Sequence, residues 1–371
     1  MSPAVDLASL STQVVALAFV LGAIFGALVH RTDFCTMGSV ADIVGYGDWT
    51  RMRQWALAIA VAVAGTTLLA TFGVIDPAAS FYTTKRFTPL AYVLGGLLFG
   101  FGMVLAGGCG SKALVRAGAG SLKGLVVVCV LGLVAYISLR GVLAVVRVRA
   151  IESAGFDLAT TQDLPTLLTG GGAALGAARV AVAGLIAAAL LVFVLRDRAA
   201  LTKEVVLGGV GVGAVIVAVW FVSGHLGHVI EHPETLDEVY LRTNSGRMEA
   251  LSFVAPVAWT LDYLMFFSDT SKVITVGVAS VGGVFVGALL SAALGGRFRW
   301  EGFRDTEDTA NHLAGGSLMG FGGVTAMGCT IGQGLSGVSM LAAGSIITLA
   351  AIVAGAVAGL RYQAWRIDQM S

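Results

Sequence analysis

Long apolar runs, broken by short polar or glycine-rich stretches, make up most of the chain. Nine of them are long enough to cross a bilayer core of roughly 30 Å as α-helices, at about 13–29, 55–73, 90–107, 122–141, 175–195, 205–222, 272–294, 310–328 and 338–360. Two further apolar stretches, 31–47 and 249–267, are short or interrupted by polar residues, glycine or proline. They read as re-entrant or interfacial, since irregular backbone at membrane depth needs protein or a water-filled cavity to cover it. The period-two alternation of an outer-membrane barrel is absent. The pattern predicts an all-α polytopic membrane protein of about nine transmembrane helices plus short re-entrant helices.

Composition agrees. Of 371 residues, 57% are hydrophobic and 12% charged, against about 25% charged in soluble domains. The 51 glycines suit helices packed closely in lipid. A net charge of +1 and the lack of any basic run give no support to a nucleic-acid partner. The first basic residue near the N-terminus is Arg31, so a cleaved signal peptide is not expected. With the N-terminus outside, the nine spans place 14 Lys and Arg residues inside and 9 outside or within a span, which favours N-out, C-in. Arg140, Arg147 and Arg149 are the misfit, and 142–168 is expected to be an external amphipathic segment.

One pair of segments is nearly the same text. Residues 95–109 (GGLLFGFGMVLAGGC) and 315–329 (GGSLMGFGGVTAMGC) agree at 10 of 15 positions without a gap, and each ends on a cysteine in a chain that has only 4. Read as an internal repeat, they divide the chain into a first repeat (11–143), an external segment with a linker helix (144–200) and a second repeat (201–361). One linker span between two four-span units inverts the second unit. Inverted repeats with broken helices and a midplane site mark many transporters. The plainer reading is that the glycines only let helices pack.

The candidate chemistry gathers at the motif ends. Gly108 precedes Cys109 and Gly110 follows it; Gly328 precedes Cys329, and Thr330 and Gln333 follow. Glycine lets the backbone leave a helix, and a freed helix N-terminus presents N–H donors and partial positive charge. A polarizable thiol beside such donors, with Ser111, Thr330 and Gln333 as further donors, describes a small site for a soft, sulfur-containing anion. Each cysteine taken alone is as well read as a small buried apolar residue. Cys35 lies in RTDFCTMGS, where Asp33 is placed to cap a helix starting at Phe34. At the repeat offset its counterpart is Ala255, so Cys35 has no mate. Cys129, within VVVCVLG, reads as structural. The absence of a CxxC pair removes the usual support for zinc or thioredoxin-like chemistry. His225, His228 and His232 could share a helical face as a metal site, but a solvated helix end before Pro233 is the simpler reading, and no metal is assigned. Lys112 and Arg116 either attract anions or anchor a helix at the headgroups.

The Arg31–Asp33-Phe34-Cys35 segment and the two GFG-x6-C motifs ending at Cys109 and Cys329 resemble the YeeE/YedE family of bacterial inner-membrane thiosulfate and sulfur-compound transporters. The resemblance implies an hourglass-like fold and uptake of thiosulfate, with Cys35, Cys109 and Cys329 touching the ion in turn. It implies no cofactor, and it implies small cytosolic sulfurtransferase-like proteins and the lipid bilayer as partners. Selenium compounds or sulfide are alternative cargoes on the same fold. Neither 142–170 nor the histidine group matches the family pattern. No nucleotide-binding motif is present, so no ATP hydrolysis and no enzymatic activity are expected. A membrane thiol oxidoreductase is the rival of another class, and the lack of a close cysteine pair counts against it.

Overall fold

The structure, a computed structural model, describes residues 7–233 and 236–370. Its helices are α1 (Leu7–Thr32), α2 (Thr36–Tyr46), α3 (Thr50–Thr71), α4 (Pro89–Leu105), α5 (Gly110–Gly118), α6 (Leu122–Arg140), α7 (Val142–Val146), α8 (Leu164–Thr169), α9 (Leu175–Leu195), α10 (Lys203–Phe221), α11 (Ala255–Met265), α12 (Val276–Leu294), α13 (Thr306–Thr325) and α14 (Ala343–Met370). Hydroxyl and carboxylate caps start α6, α10, α12 and α13. Ser121, Thr202, Thr275 and Asp305 accept the amides of Gly124, Val205, Val278 and Asp308, each satisfying one donor that a helix start leaves open. Among the described residues, eight helices are long and apolar enough to cross a membrane. The remaining predicted span, 310–328, is helical as α13. It falls short on apolarity because Glu307, Asp308, Asn311 and His312 occupy its first turns. The protein is a multi-pass, all-α membrane protein. The two short predicted segments become α2 and α11, and α9 coincides with predicted span 175–195.

The centre of the fold is an antiparallel crossing of α4 and α13. A Cβ on Gly95 would meet the amide nitrogen of Ala326 at 2.5 Å, and one on Gly315 the amide nitrogen of Ala106 at 2.6 Å. A Cβ on Gly102 would meet the Gly315 carbonyl at 2.8 Å, and one on Gly322 the Gly95 carbonyl at 2.7 Å. The two backbones touch, and no side chain fits between them. Each of these helices then has a parallel neighbour at similarly close range: Gly100 lies on Ile352 of α14, and Gly320 lies on Leu131 of α6. Outside them, α1 runs parallel to α12, with Gly22 on Ser280 and Gly283 on Phe19, and α3 runs parallel to α10, with Gly213 on Ala58. Small residues at every contact are how helices associate in lipid, where apolar burial gives little drive. Helix α9 is peripheral: only Ala183 and Val194 are buried, and they pack near Val63 and Leu57 of α3.

The stretch 142–170 is not one amphipathic helix. It is α7 running into a turn of π-helix (Arg147–Ile151), then strand β2 (Phe156–Asp157) and α8. Strand β2 pairs antiparallel with β1 (Arg86–Phe87). Buried Gln162 fastens the segment by accepting from the Tyr92 hydroxyl (3.2 Å) and donating to the Thr84 carbonyl (3.1 Å). Two of the three misfit arginines are spent here. Arg140 stacks on Trp259 at 4.8 Å, and Arg147 pairs with Glu152.

The histidines do not share a helical face, because α10 ends at Phe221 and passes through a π turn at Val222–Leu226. His228 instead lies on a two-residue strand, β3 (His228–Val229), paired with β4 (Val239–Tyr240), stacks on Tyr240 and bonds Glu238 at 2.7 Å. Among the described residues no group of His, Cys, Asp or Glu has the arrangement of a metal site.

On the opposite face, Lys123 of α6 is nearly buried and bonds Asp308 at 2.8 Å, with Glu301 at 3.7 Å. Asp308→Asn, which removes the charge partner of Lys123, should lower the melting temperature in detergent at neutral pH by the equivalent of ~1–3 kcal/mol. The glycine crossing gives a sharper contrast. Gly95→Ala should destabilise by ~1–3 kcal/mol through overpacking. Gly184→Ala in α9, whose Cβ meets nothing within 4 Å, should be neutral or stabilising by up to ~1 kcal/mol. Paired thermal melts read both.

Candidate functional site

The α4–α13 crossing determines what happens at the ends of the two helices. Helix α4 closes with Gly107 in the left-handed region (φ 66°), Gly108 N–H donating to Met103 O and Gly107 N–H to Val104 O. Helix α13 closes the same way on Met327 (φ 59°), with Gly328 N–H to Gly323 O and Met327 N–H to Val324 O. This is the Schellman closure. In the second copy a non-glycine residue holds the left-handed position, a strain of about 1 kcal/mol. Each closure is followed at once by a cysteine that heads a new short helix. Cys109 is the N-cap of α5, and Cys329 precedes the helical segment 330–339, which contains a π turn at Gly332–Gly337.

Cys35 does the same for α2. Asp33 was expected as the cap; instead it lies in the left-handed region (φ 53°), and its carboxylate pairs with Lys112 at 2.7 Å. The Cys35 sulfur takes the capping role, accepting the Gly38 amide at 3.4 Å. The Cys329 sulfur accepts the Gly332 amide, also at 3.4 Å, and the Cys109 sulfur lies 3.2 Å from the Ser111 hydroxyl. All three thiols therefore stand at the amide-rich starts of short helices, where partial positive charge collects. They are 6%, 2% and 0% exposed for Cys35, Cys109 and Cys329. Cys129 is free and lies on the exposed side of α6. Ala255, at the repeat offset from Cys35, is the first residue of α11, whose N-cap is Val254. A valine cannot supply a third capping thiol there.

The three buried thiols form a succession. Cys109 interacts electrostatically with both Cys35 and Cys329. Tyr82 is within electrostatic range of Cys329 and is hydrogen-bonded to Ser252. Both hydroxyls crowd Gly332, where a Cβ would meet Ser252 Oγ at 2.7 Å and Tyr82 O–H at 2.9 Å. Tyr82, Ser252, Met327 and Gly328 in turn line the floor of a vestibule of about 720 Å³. At the other end Cys35 interacts with Lys112 and Arg51. Tyr82 at the vestibule floor, Cys329, Cys109 and Cys35 are thus each within electrostatic range of the next, and Lys112 and Arg51 are within range of Cys35.

The surrounding polar groups divide into two sets. Gln333 is engaged by the protein: its amide nitrogen donates to Ala326 O at 2.5 Å, and its amide oxygen accepts from Ser345. It clamps the segment after Cys329 to the end of α13. Gly108 and Gly110 leave no room beside Cys109: a Cβ on Gly108 would meet Lys112, and one on Gly110 would meet Leu131 and the Phe253 carbonyl. A Cβ on Gly328 would likewise meet Gln333. Lys112 and Arg116 are held by Asp33 and Glu301 rather than left for headgroups. By contrast, among the described residues the buried hydroxyls of Thr36 and Thr330, each next to a thiol, have no hydrogen-bond partner, and neither has the indole N–H of Trp55, which stacks on Phe34; Arg53 Nε and the hydroxyls of Thr66 and Thr348 are the other buried side-chain groups without one. Unpartnered buried donors are rare and call for an explanation such as a ligand. Sequence alone singled out Thr330 but not Thr36 or Trp55; the adjacency of Thr36 to Cys35, matching that of Thr330 to Cys329, was the available signal.

Residues 31–358 match the family model described as sulphur transport. The chain is 28% identical over 331 residues to the thiosulfate transporter TsuA of Escherichia coli strain K12, covering 87% of each chain. It is 26% identical over 333 residues to the thiosulfate transporter TsuA of Spirochaeta thermophila, covering 88% of this chain and 92% of the relative. A shorter match, 33% over 101 residues, is to the probable transporter YedE of E. coli, covering 27% of this chain and 23% of the relative. With nearly the whole multi-pass fold and all three buried thiols inside the matched region, the chain belongs to the sulphur-transport (YeeE/YedE) family.

Proposed function

We propose that the protein carries thiosulfate, or a closely related sulfur anion, across the bacterial inner membrane, passing it along Cys329, Cys109 and Cys35. The observation that supports this reading is the grouping of three buried thiols, each at the start of a short helix and each within electrostatic range of the next, between the vestibule and Lys112. The names of two relatives that match over most of the chain point to the same cargo. In this reading α13 also spans the membrane, the N-terminus and the vestibule face outward, and 11–143 and 201–361 are inverted repeats joined through 144–200. The reciprocal contacts of Gly95 with Ala326 and Gly315 with Ala106 support the inversion, as does the greater number of Lys and Arg residues on the side opposite the vestibule.

The chemistry is transfer between weak sites. A thiol donates a weak S–H hydrogen bond and offers a polarizable surface to the terminal sulfur of the ion. The helix start beneath it adds partial positive charge without a fixed cation. The free hydroxyls of Thr330 and Thr36 supply donors at the first and last steps. A full positive charge at each step would hold a dianion too tightly, and conduction along several sites needs each to release. The fixed cations Lys112 and Arg51 stand at the exit. Their charge is shared with Asp33 and Asp42, which limits retention there.

Labelled thiosulfate uptake by cells lacking other sulfate and thiosulfate routes tests the reading. Cys109→Ala and Cys329→Ala should each reduce the rate by about tenfold or more, a loss of at least one weak contact per transfer. Cys35→Ala should also lower it, and Cys129→Ala should leave it unchanged. Wild-type rates in all single alanine variants of the buried thiols would refute the relay.

A further inference from the structure

The vestibule has a feature that the thiol path does not use. Its roof is the segment after α6, in which α7 and the following π turn are held down by the β1–β2 pairing and by Gln162. Three arginines line the cavity: Arg86, Arg147 and Arg149. Arg147 is closed off by Glu152 and by the Ser138 carbonyl. Arg86 is shared between Asp157 at 3.5 Å and the Glu152 carbonyl at 3.4 Å. Among the described residues, the guanidinium of Arg149 has no ion pair and no hydrogen bond, although the backbone that carries it is tethered on both sides. The cavity's two carboxylates do not neutralise it. Glu152 serves Arg147, and Glu249 accepts the Ser245 amide at 2.7 Å.

We propose that the vestibule is a second anion site, in which Arg149 captures small tetrahedral dianions, sulfate as well as thiosulfate, before the thiols discriminate between them. The inference rests on the thiosulfate reading above and adds a step upstream of it. A guanidinium presents a planar fork of N–H donors that matches two oxygens of such an ion. Oxygens are common to sulfate and thiosulfate, so this site does not tell them apart; the terminal sulfur is sensed only beyond Tyr82 and Ser252. A cavity of about 720 Å³ also accepts an ion with part of its hydration shell, so capture precedes full desolvation. Sulfate therefore occupies the outer site without passing the constriction and competes with thiosulfate. As the charge lies near the surface, capture weakens with ionic strength.

The test uses the full-length protein in proteoliposomes and detergent. In the wild type, sulfate should inhibit thiosulfate uptake competitively, and added salt should raise KM. Arg149→Gln should raise KM about tenfold, the loss of one charge-assisted contact, and abolish both the sulfate inhibition and most of the salt dependence. Arg149→Lys should retain the salt dependence. Lys85→Gln, an exposed cation on the same face that does not line the cavity, should change none of these. A second readout does not depend on transport. Trp259 lines the vestibule, and its fluorescence, isolated by subtracting a Trp259→Phe variant, should respond saturably to sulfate in the wild type and not in Arg149→Gln. Unaltered KM and sulfate inhibition in Arg149→Gln, or a sulfate response equal in both proteins or absent from the wild type, would overturn the proposal. A wild type that transports no thiosulfate yet shows the Arg149-dependent sulfate response would overturn the transport reading while leaving the capture site standing.

Discussion

Helices α4 and α13 touch backbone to backbone, and most of the site follows from that contact. Gly95, Gly102, Gly315 and Gly322 leave no side chain between them. A close crossing brings both helix ends toward the centre of the molecule, where a helix that stops must satisfy its last carbonyls without water. The Schellman closures at Gly107 and Met327 do so by turning the chain back on itself. The residue after each closure, Cys109 and Cys329, becomes the head of the next short helix. That two thiols from distant parts of the sequence come within electrostatic range of each other is therefore a result of packing, before any question of chemistry arises.

Placing a cysteine at a buried helix start is a particular electrostatic choice. Serine or aspartate would cap more strongly, and aspartate would repel an anion. The thiols of Cys35 and Cys329 cap through N–H···S bonds, which are weak because sulfur is a poor acceptor, and this leaves much of the positive end of each helix for a ligand. Buried hydroxyls without partners at Thr36 and Thr330 extend the same pattern. Full charges are kept at the two ends of the series, Arg149 at the vestibule and Lys112 with Arg51 at the far side. On the proposed path a dianion would meet fixed charge only where water can share it.

Much of this was legible in the letters. Hydrophobic run length located every long helix, because roughly 20 apolar residues have few other uses, and the repeat of GFG-x6-C marked the two turns that carry Cys109 and Cys329. What escaped depended on contacts between distant residues. Asp33 has the composition of a cap, but Lys112, far along the chain, draws it away and leaves the role to Cys35. The spacing of His225, His228 and His232 suggests one face only if α10 continues, and its π turn ends that face. Gln333, read as a donor to a bound anion, also bonds Ala326 and Ser345, contacts that its neighbours in sequence do not reveal. The misfit arginines of the charge count became intelligible once two were found paired or stacked and the third was found lining a cavity.

The central claim is that one anion path runs through the three buried thiols with Cys109 in the middle. A crystal structure of the protein with thiosulfate, recorded at a long wavelength where sulfur scatters anomalously, tests it most directly. The account predicts an anomalous peak for the bound ion in contact with the sulfur of Cys109, Cys329 or Cys35, with the neighbouring helix-start amides or the Thr330 or Thr36 hydroxyl facing it. A well-occupied thiosulfate elsewhere within the membrane-spanning core, with none of the three thiols in contact, would contradict it.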